Sequence, residues 1–457
     1  MDKILESLTD YAVSLTYDHL SPETVHQVKR ILIDSMGTAM GAYDAEPYMI
    51  ARDYALEVSA KPGATVLGTQ HSTSPELAAF VNGVMVRYLD FNDTGGGFEN
   101  GHPSDNIPAV LAAAEYAGAD ARTAILGIVL AYEFVGCMGH ENRLLKNGWD
   151  YVTYNAISAA AGAGKVLNLN YEQMANAIAL ATVSSFALSQ TRAGTLSMWK
   201  GCAAGNATSS GVFAAIMAGR GLTGPLEAYE GARGFYRQLT EGDALLLPSE
   251  MGKNHAYQIQ RGKLKYFPSD HEAQTAVNPV LELRQDIDGN IEDIEKVMVD
   301  TYDIAIAMAA DSPDKWHPTN RETADHSIPY VLAVAFTRGD VWLDDYTEER
   351  IRDPKIHELM QKIEVRQTEE CQRGFPEGQP FRIEVTTKSG KHFVREIKYG
   401  KGHWKNPMSD QDIEIKFRKL SAPVFTPDKV ENIIKNLWNF DEAESIQQVL
   451  NQFVLKQ

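Results

Sequence analysis

Cysteine is scarce. Cys137, Cys202 and Cys371 are the only three in 457 residues, and they lie far apart. They form no CxxC pair, no zinc spacing and no disulfide framework, and they cannot supply the clustered thiolates of an iron–sulfur centre. A reducing compartment, the cytoplasm, is therefore expected. Basic residues are also in deficit: 43 Lys and Arg face 61 Asp and Glu, for a net charge of −18. Such a chain is a poor partner for nucleic acid or an anionic membrane. An anionic substrate would need a local basic pocket inside an acidic body. Long apolar runs are missing too. The longest, Ala124 to Met138, is interrupted by Glu133 and falls short of the roughly 20 residues that span a bilayer. Met1 to Glu6 carries acids where a secretory leader would carry a basic stretch. No GxxxxGK[ST] stretch occurs, and Gly95-Gly96-Gly97 follows no strand and lacks the fingerprint of a nucleotide loop.

What is present is an ordinary globular composition, 44% hydrophobic and 23% charged, in a chain long enough for two domains. The first 260 or so residues read as helical. Ser21-Pro22-Glu23 is a helix start with Ser as N-cap, and Val25, Val28, Leu32, Met36 and Ala39 then recur as one buried face requires. Ala159 to Gly164 and Gly201 to Gly205 are small-residue stretches that predict tightly packed helices. After about Tyr266 the character changes. Ile294 to Tyr302, Lys362 to Thr368 and Phe381 to Thr387 are β-rich, and Lys388-Ser389-Gly390-Lys391 joins the last to His392–Lys398 as a hairpin. Ser327 to Arg338, Asp353 to about Met360, a segment capped by Thr426-Pro427 and another opened by Asp441 read as helices.

The densest polar feature is Leu89-Asp90-Phe91-Asn92-Asp93-Thr94, followed after a glycine stretch by His102-Pro103-Ser104-Asp105-Asn106. It comes directly after the apolar run Ala78 to Tyr88, which predicts a buried helix. Acids, amides, hydroxyls and an imidazole at the end of a buried helix suit an active-site wall. They also suit a loop that caps two helices, with Ser104 as the N-cap of a helix beginning near Ile107. Four further clusters stand out. Gly148 to Tyr154 puts two tyrosines and an acid at a helix start, as donors to a carboxylate or as a cap with an aromatic staple. Thr191-Arg192 and Trp199-Lys200-Gly201 set a lysine among small residues, where a buried anion would explain it better than solvent. Lys263 to Pro268 with His271 falls at the inferred domain boundary, where ligands often bind. Trp316-His317-Pro318 leads into Arg321 to Ser327, a run that reads as mostly structural, with His326 satisfied in a core.

Together these motifs resemble the MmgE/PrpD family. The resemblance rests on Tyr88 to Thr94 with His102 to Asn106, on Trp199-Lys200 with Gly219 to Pro225, and on Lys315 to Pro318 with Arg321 to Tyr330. The last run is similar to the 2-methylcitrate dehydratase branch. The resemblance implies a mainly α protein: a large all-helical domain from residues 1–265 and 401–457, with a smaller α+β lid domain, 266–400, inserted. It further implies a homodimer and a dehydratase free of metal and of any other cofactor. Asp90, Thr94 and His102 match the polar loop of the family's site. Lys200 matches a lysine on the helix across the cleft, and Lys265 one where the lid begins. Where decarboxylase-type relatives carry a second histidine, this chain has Tyr151, and the Gly95-Gly96-Gly97-Phe98 insert replaces an aromatic-rich loop, which would widen the pocket.

The implied chemistry asks for these residue types. Dehydrating a tricarboxylate such as 2-methylcitrate removes a proton next to a carboxylate and expels hydroxide from the neighbouring carbon. Lys200, Lys265 and Arg192 would hold the carboxylates and stabilise the charge that builds on deprotonation. His102, oriented by Asp90, is the expected base. Thr94, Tyr151 or Tyr154 would position or protonate the leaving hydroxyl, with Asn92, Ser104 and Trp316 as further binding residues. A cis-aconitate decarboxylase would use the same cations without a leaving hydroxyl. An epimerase of the iminodisuccinate type needs two opposed proton carriers. A non-catalytic tricarboxylate binder would hold its ligand without turnover.

Overall fold

Ser21 accepts a hydrogen bond from the Thr24 backbone N–H, and Pro22 supplies a preset φ, so helix Pro22–Gly41 begins where its capping residues dictate. Its buried side carries Val25, Val28, Leu32, Met36 and Ala39. The computed structural model describes residues 1–96, 101–141, 144–239 and 257–455. They form two compact units: Met1–Thr191, Met198–Gly262 and Ser409–Gln457 make the first, and Arg192–Ser197 with Lys263–Met408 the second.

Among the described residues, the regular structure of the first unit is helical apart from a strand pair of two residues each, Ala64–Thr65 with Ser72–Thr73. Its central helices touch through glycine. A Cβ on Gly83, in helix Pro75–Arg87, would stand 2.8 Å from the Cα of Gly205 in helix Trp199–Gly219. Farther along, a Cβ on Gly211 would stand 2.4 Å from the carbonyl of Ala156 in helix Val152–Val166. These contacts bring backbones together and leave no room for a larger residue. Helix Ala121–Glu141 contains a stretch, Ala121–Gly139, apolar and long enough to cross a membrane, but 89% of it is buried inside the protein. It is longer than the run expected from the sequence and is packed as a core helix. From the C-terminal part, helix Asp410–Ser421 lays Phe417 and Leu420 against Gly37 and Gly41 of helix Pro22–Gly41.

The second unit contains a four-stranded sheet in the order Ile363–Gln367, Ile294–Thr301, Phe381–Thr387, His392–Ile397. The first pair is parallel, with Val297 opposite Ile363, and the other two are antiparallel, with Val299 opposite Ile383 and Val385 opposite Phe393. Helices His271–Asp286 and Ile328–Arg338 share a core with it that includes Val277, Val280, Val331, Val297 and Ile383. The unit extends beyond residues 266–400 because backbone bonds hold both edges. The Leu264 N–H donates to the Gly402 carbonyl, and only at Ser409 does a new N-cap begin the next helix. Residues 192–197 belong here because the Thr195 hydroxyl donates to Asp314 and the Asn320 amide to the Leu196 carbonyl. The helix expected to open at Asp441 is instead a short 3-10 turn, Phe440–Glu442, and Ser445 caps the helix Ile446–Asn451 that follows.

Candidate active site

Helix Pro75–Arg87 ends in a backbone that folds back into the interior. Asp90 adopts a left-handed conformation, φ 51°, which Asp tolerates better than most residues. Residues 89–95 are buried, so their polar groups must find partners inside the protein. They find them in 102–106. The Asn92 amide donates to the Ser104 hydroxyl (2.8 Å) and to Asp105 (3.0 Å). Asp93 accepts from the Ser104 N–H (3.0 Å) and from the Tyr132 hydroxyl (2.8 Å). Asp105 in turn accepts from the Asn155 amide at 3.0 Å. Ser104 is not the N-cap of the next helix: it lies within a 3-10 turn, Pro103–Asn106, that runs into helix Ile107–Ala117. Asn92 and Ser104, expected at the substrate, are thus engaged in joining the two segments. Gly97 and Phe98 of the glycine insert lie outside the described residues.

Asp90 is the hub. Its carboxylate takes the Arg87 guanidinium at 2.5 Å and the Lys200 ammonium at 3.4 Å, all three groups almost wholly buried. The His102 Nε2 stands 3.6 Å away. The other ring nitrogen, Nδ1, is 2.6 Å from the Asp93 carbonyl. A carbonyl only accepts, so Nδ1 carries the hydrogen and the neutral ring keeps its lone pair on Nε2. Tyr151 tilts over the imidazole, ring centroids 5.7 Å apart, and its hydroxyl accepts from the Arg87 Nε (3.4 Å) while facing Asp105 (3.5 Å). Burial works against the Arg87 charge, but Asp90, Tyr151 and Asp105 hold its pKa well above the ordinary value. Burial pushes the Asp93 carboxyl up to about 6, against the pull of its Ser104 and Tyr132 hydrogen bonds. Thr94 is buried in the same loop. Tyr154 goes elsewhere: its ring stacks on Phe235, which packs in turn on Tyr229.

The second unit has a buried ionic cluster of its own. Lys263 and Lys265 are buried at its start, and Asp270 caps helix His271–Asp286 by accepting the Glu272 N–H at 2.9 Å. Lys263 lies 3.5 Å from the His271 Nε2. Burial drives Lys263 toward the neutral amine and Glu272 toward the neutral acid, each charge partly opposing the other's shift. His326 sits between two acids, Nδ1 2.6 Å from Asp325 and Nε2 3.5 Å from Asp270. The sequence suggests a core histidine here, and it is buried, yet it is held as an acid–base group would be. Asp270 and His326 offer donor atoms within 4.8 Å of each other, so they could supply two ligands to a cation. Trp316 spends its indole N–H on the Ala310 carbonyl at 3.0 Å. Arg192, partly buried, ends the short turn Ser189–Arg192.

Arg87, Tyr132 and Asn155 lie outside the motifs read from the sequence, and Asp93 and Asp105 lie inside the polar motif without an assigned role. Only Arg87 left a clear signal, as a cation on the last turn of an apolar helix. The others acquire meaning through partners far away in the chain.

Comparison with known proteins agrees with the motifs. Residues 6–247 match the MmgE/PrpD N-terminal domain and residues 267–440 the MmgE/PrpD C-terminal domain. The 2-methylcitrate dehydratases of Salmonella typhimurium and Escherichia coli K12 are each 30% identical over 383 residues, covering 79% of this chain and 77% of the relative. The cis-aconitate decarboxylase of Homo sapiens is 26% identical over 464 residues, 97% of this chain and 93% of that one.

Proposed function

The chain belongs to the MmgE/PrpD family, and from that premise we propose that it is a metal-independent hydro-lyase acting on a citrate-like tricarboxylate, converting 2-methylcitrate to 2-methyl-cis-aconitate. The observation that carries the reading is the Asp90 hub. One buried carboxylate faces two cations and a histidine, so a cation and an imidazole base are held side by side, the pair that proton removal next to a carboxylate requires. His102 Nε2 takes the proton from the carbon beside a carboxylate, and Asp90 stabilises the imidazolium that results. Lys200 offsets the charge that develops on that carboxylate. Hydroxide leaves from the neighbouring carbon with a proton from Tyr151, so the products are the alkene and water. Arg87 steadies the phenolate until the proton held by His102 returns to it. Lys265 binds a further carboxylate.

A second reading has its own support, since the human relative named a cis-aconitate decarboxylase aligns over nearly the whole chain. One experiment separates the two. Chelator-treated protein is given 2-methylcitrate, citrate and cis-aconitate, while a new conjugated double bond is followed by absorbance and carbon dioxide is collected. Unsaturated tricarboxylate without added metal supports the dehydratase. Carbon dioxide from cis-aconitate would establish the decarboxylase instead. Activity that chelation abolishes would overturn metal independence.

We also propose that the protein is a homodimer. Phe186, Leu188 and Trp199 are 46–58% exposed and line one surface hollow of the first unit, and apolar side chains grouped this way commonly mark interfaces. Sedimentation at a monomer mass would refute this.

A further inference from the structure

Helix Asp410–Ser421 is rich in charge, yet Lys416 lies on its inner face with Ile413, Phe417 and Leu420, and is only 4% exposed. Its ammonium stands 2.7 Å from Asp34, which is buried in helix Pro22–Gly41, and donates to the Phe91 carbonyl at 2.6 Å. It also lies 3.8 Å from the centre of the Phe91 ring. Phe91 joins Asp90, with its left-handed backbone, to Asn92 and Asp93. Lys416 therefore grips the polar loop at the peptide between its hub carboxylate and the carbonyl that orients His102.

We propose that Lys416, held by Asp34, is a positioning residue for the active-site loop, acting through the Phe91 carbonyl on Asp90 and His102. This rests on the reading of that loop as the catalytic centre. A buried ion pair is a poor means of adding stability, because desolvation cancels most of its attraction and an apolar pair of similar size often does as well. A charged donor on a carbonyl is, however, stronger and more directional than a neutral one. The pair is better explained by the geometry it imposes than by the stability it adds. If the Phe91 peptide rotated, the Asp90 carboxylate would leave Arg87 and Lys200, and the Asp93 carbonyl would leave His102 Nδ1.

The test removes both charges together, so that neither is stranded. Asp34→Leu with Lys416→Met should keep a cooperative fold and lower kcat by about 10- to 100-fold, with KM changed less than about threefold. Asp34→Asn alone strands the Lys416 charge and should lower the urea midpoint, while kcat stays above that of the Leu/Met pair because Lys416 still donates to Phe91. If the Leu/Met pair does not fold, Asp34→Asn with Lys416→Gln serves the same comparison. An NMR readout needs no substrate: the Nδ1–H resonance of His102 in protein labelled with ¹⁵N-histidine should shift or broaden in the double variant. Unchanged kcat in a folded double variant, or an unchanged His102 resonance, would overturn the proposal. A parent protein inert toward every tricarboxylate would refute the dehydratase reading alone, because the resonance would still report on positioning.

Discussion

His102 is held by a hydrogen bond to a main-chain carbonyl, and that choice of partner fixes which nitrogen can act as base. Removing the ring removes the proposed base but little of the scaffold, since the two loop segments are joined through Asn92, Asp93 and Ser104. His102→Ala should therefore lower turnover by about 10²–10⁴-fold, with the thermal midpoint nearly unchanged, as steady-state kinetics and calorimetry would show. Asp93 presents a different case. Its carboxyl titrates at about 6 in the fold against about 3.9 in an unfolded chain, so the native state holds the proton more tightly. The stability this confers is complete below about pH 4 and is lost as pH rises through 6, a change of about 3 kcal/mol by linkage. Asp93→Asn should flatten the stability profile over that interval, as urea titrations at stepped pH would reveal.

At the scale of elements, Lys200 is carried by a helix in close backbone contact with two others. Helix Trp199–Gly219 is pressed on Pro75–Arg87 at Gly205 and on Val152–Val166 at Gly211. Gly211→Val should drive two backbones apart and destabilise the protein by about 1–3 kcal/mol or more, read as a lower urea midpoint, with activity lost alongside. These helices were legible in the sequence because their signals are local. A buried face repeats every three or four residues, and Ser21, Ser327 and Asp353 each bond a backbone N–H two or three positions on. Legibility failed where the next few residues set the outcome, as where a 3-10 turn overtook Ser104 and where Ser445 replaced Asp441 as the start of a helix. It failed more completely for the site's supports. Asp93 with Tyr132, Asp105 with Asn155, and Lys416 with Asp34 are pairs that only tertiary folding brings together. The motif marked out a polar loop but not what holds it, and the packing of Tyr154, one helical turn beyond Tyr151, on Phe235 was not legible in the sequence.

For the molecule as a whole, the order of the chain and the order of the units differ. The second unit's core is drawn from residues within 263–408, so that fragment should fold alone, with dispersed amide resonances and a cooperative melt. Residues 1–262 without 409–457 should not. Gly37 and Gly41 would lose Phe417 and Leu420, and Asp34 would be left without Lys416. An expanded fragment that binds a hydrophobic dye is the expected outcome, and a native near-ultraviolet spectrum would contradict it.

That interrupted connectivity also sets a timetable for synthesis. The helical unit begins to emerge first, but the helix that closes its core is translated only after all of residues 263–408. At about 5–20 residues per second, its apolar faces wait on the order of ten seconds or more for their last partner, while the later unit can already be complete. The part of the chain made first is the part finished last. Until the ribosome has passed Lys416, the loop around Asp90 exists without the contact that fixes its shape.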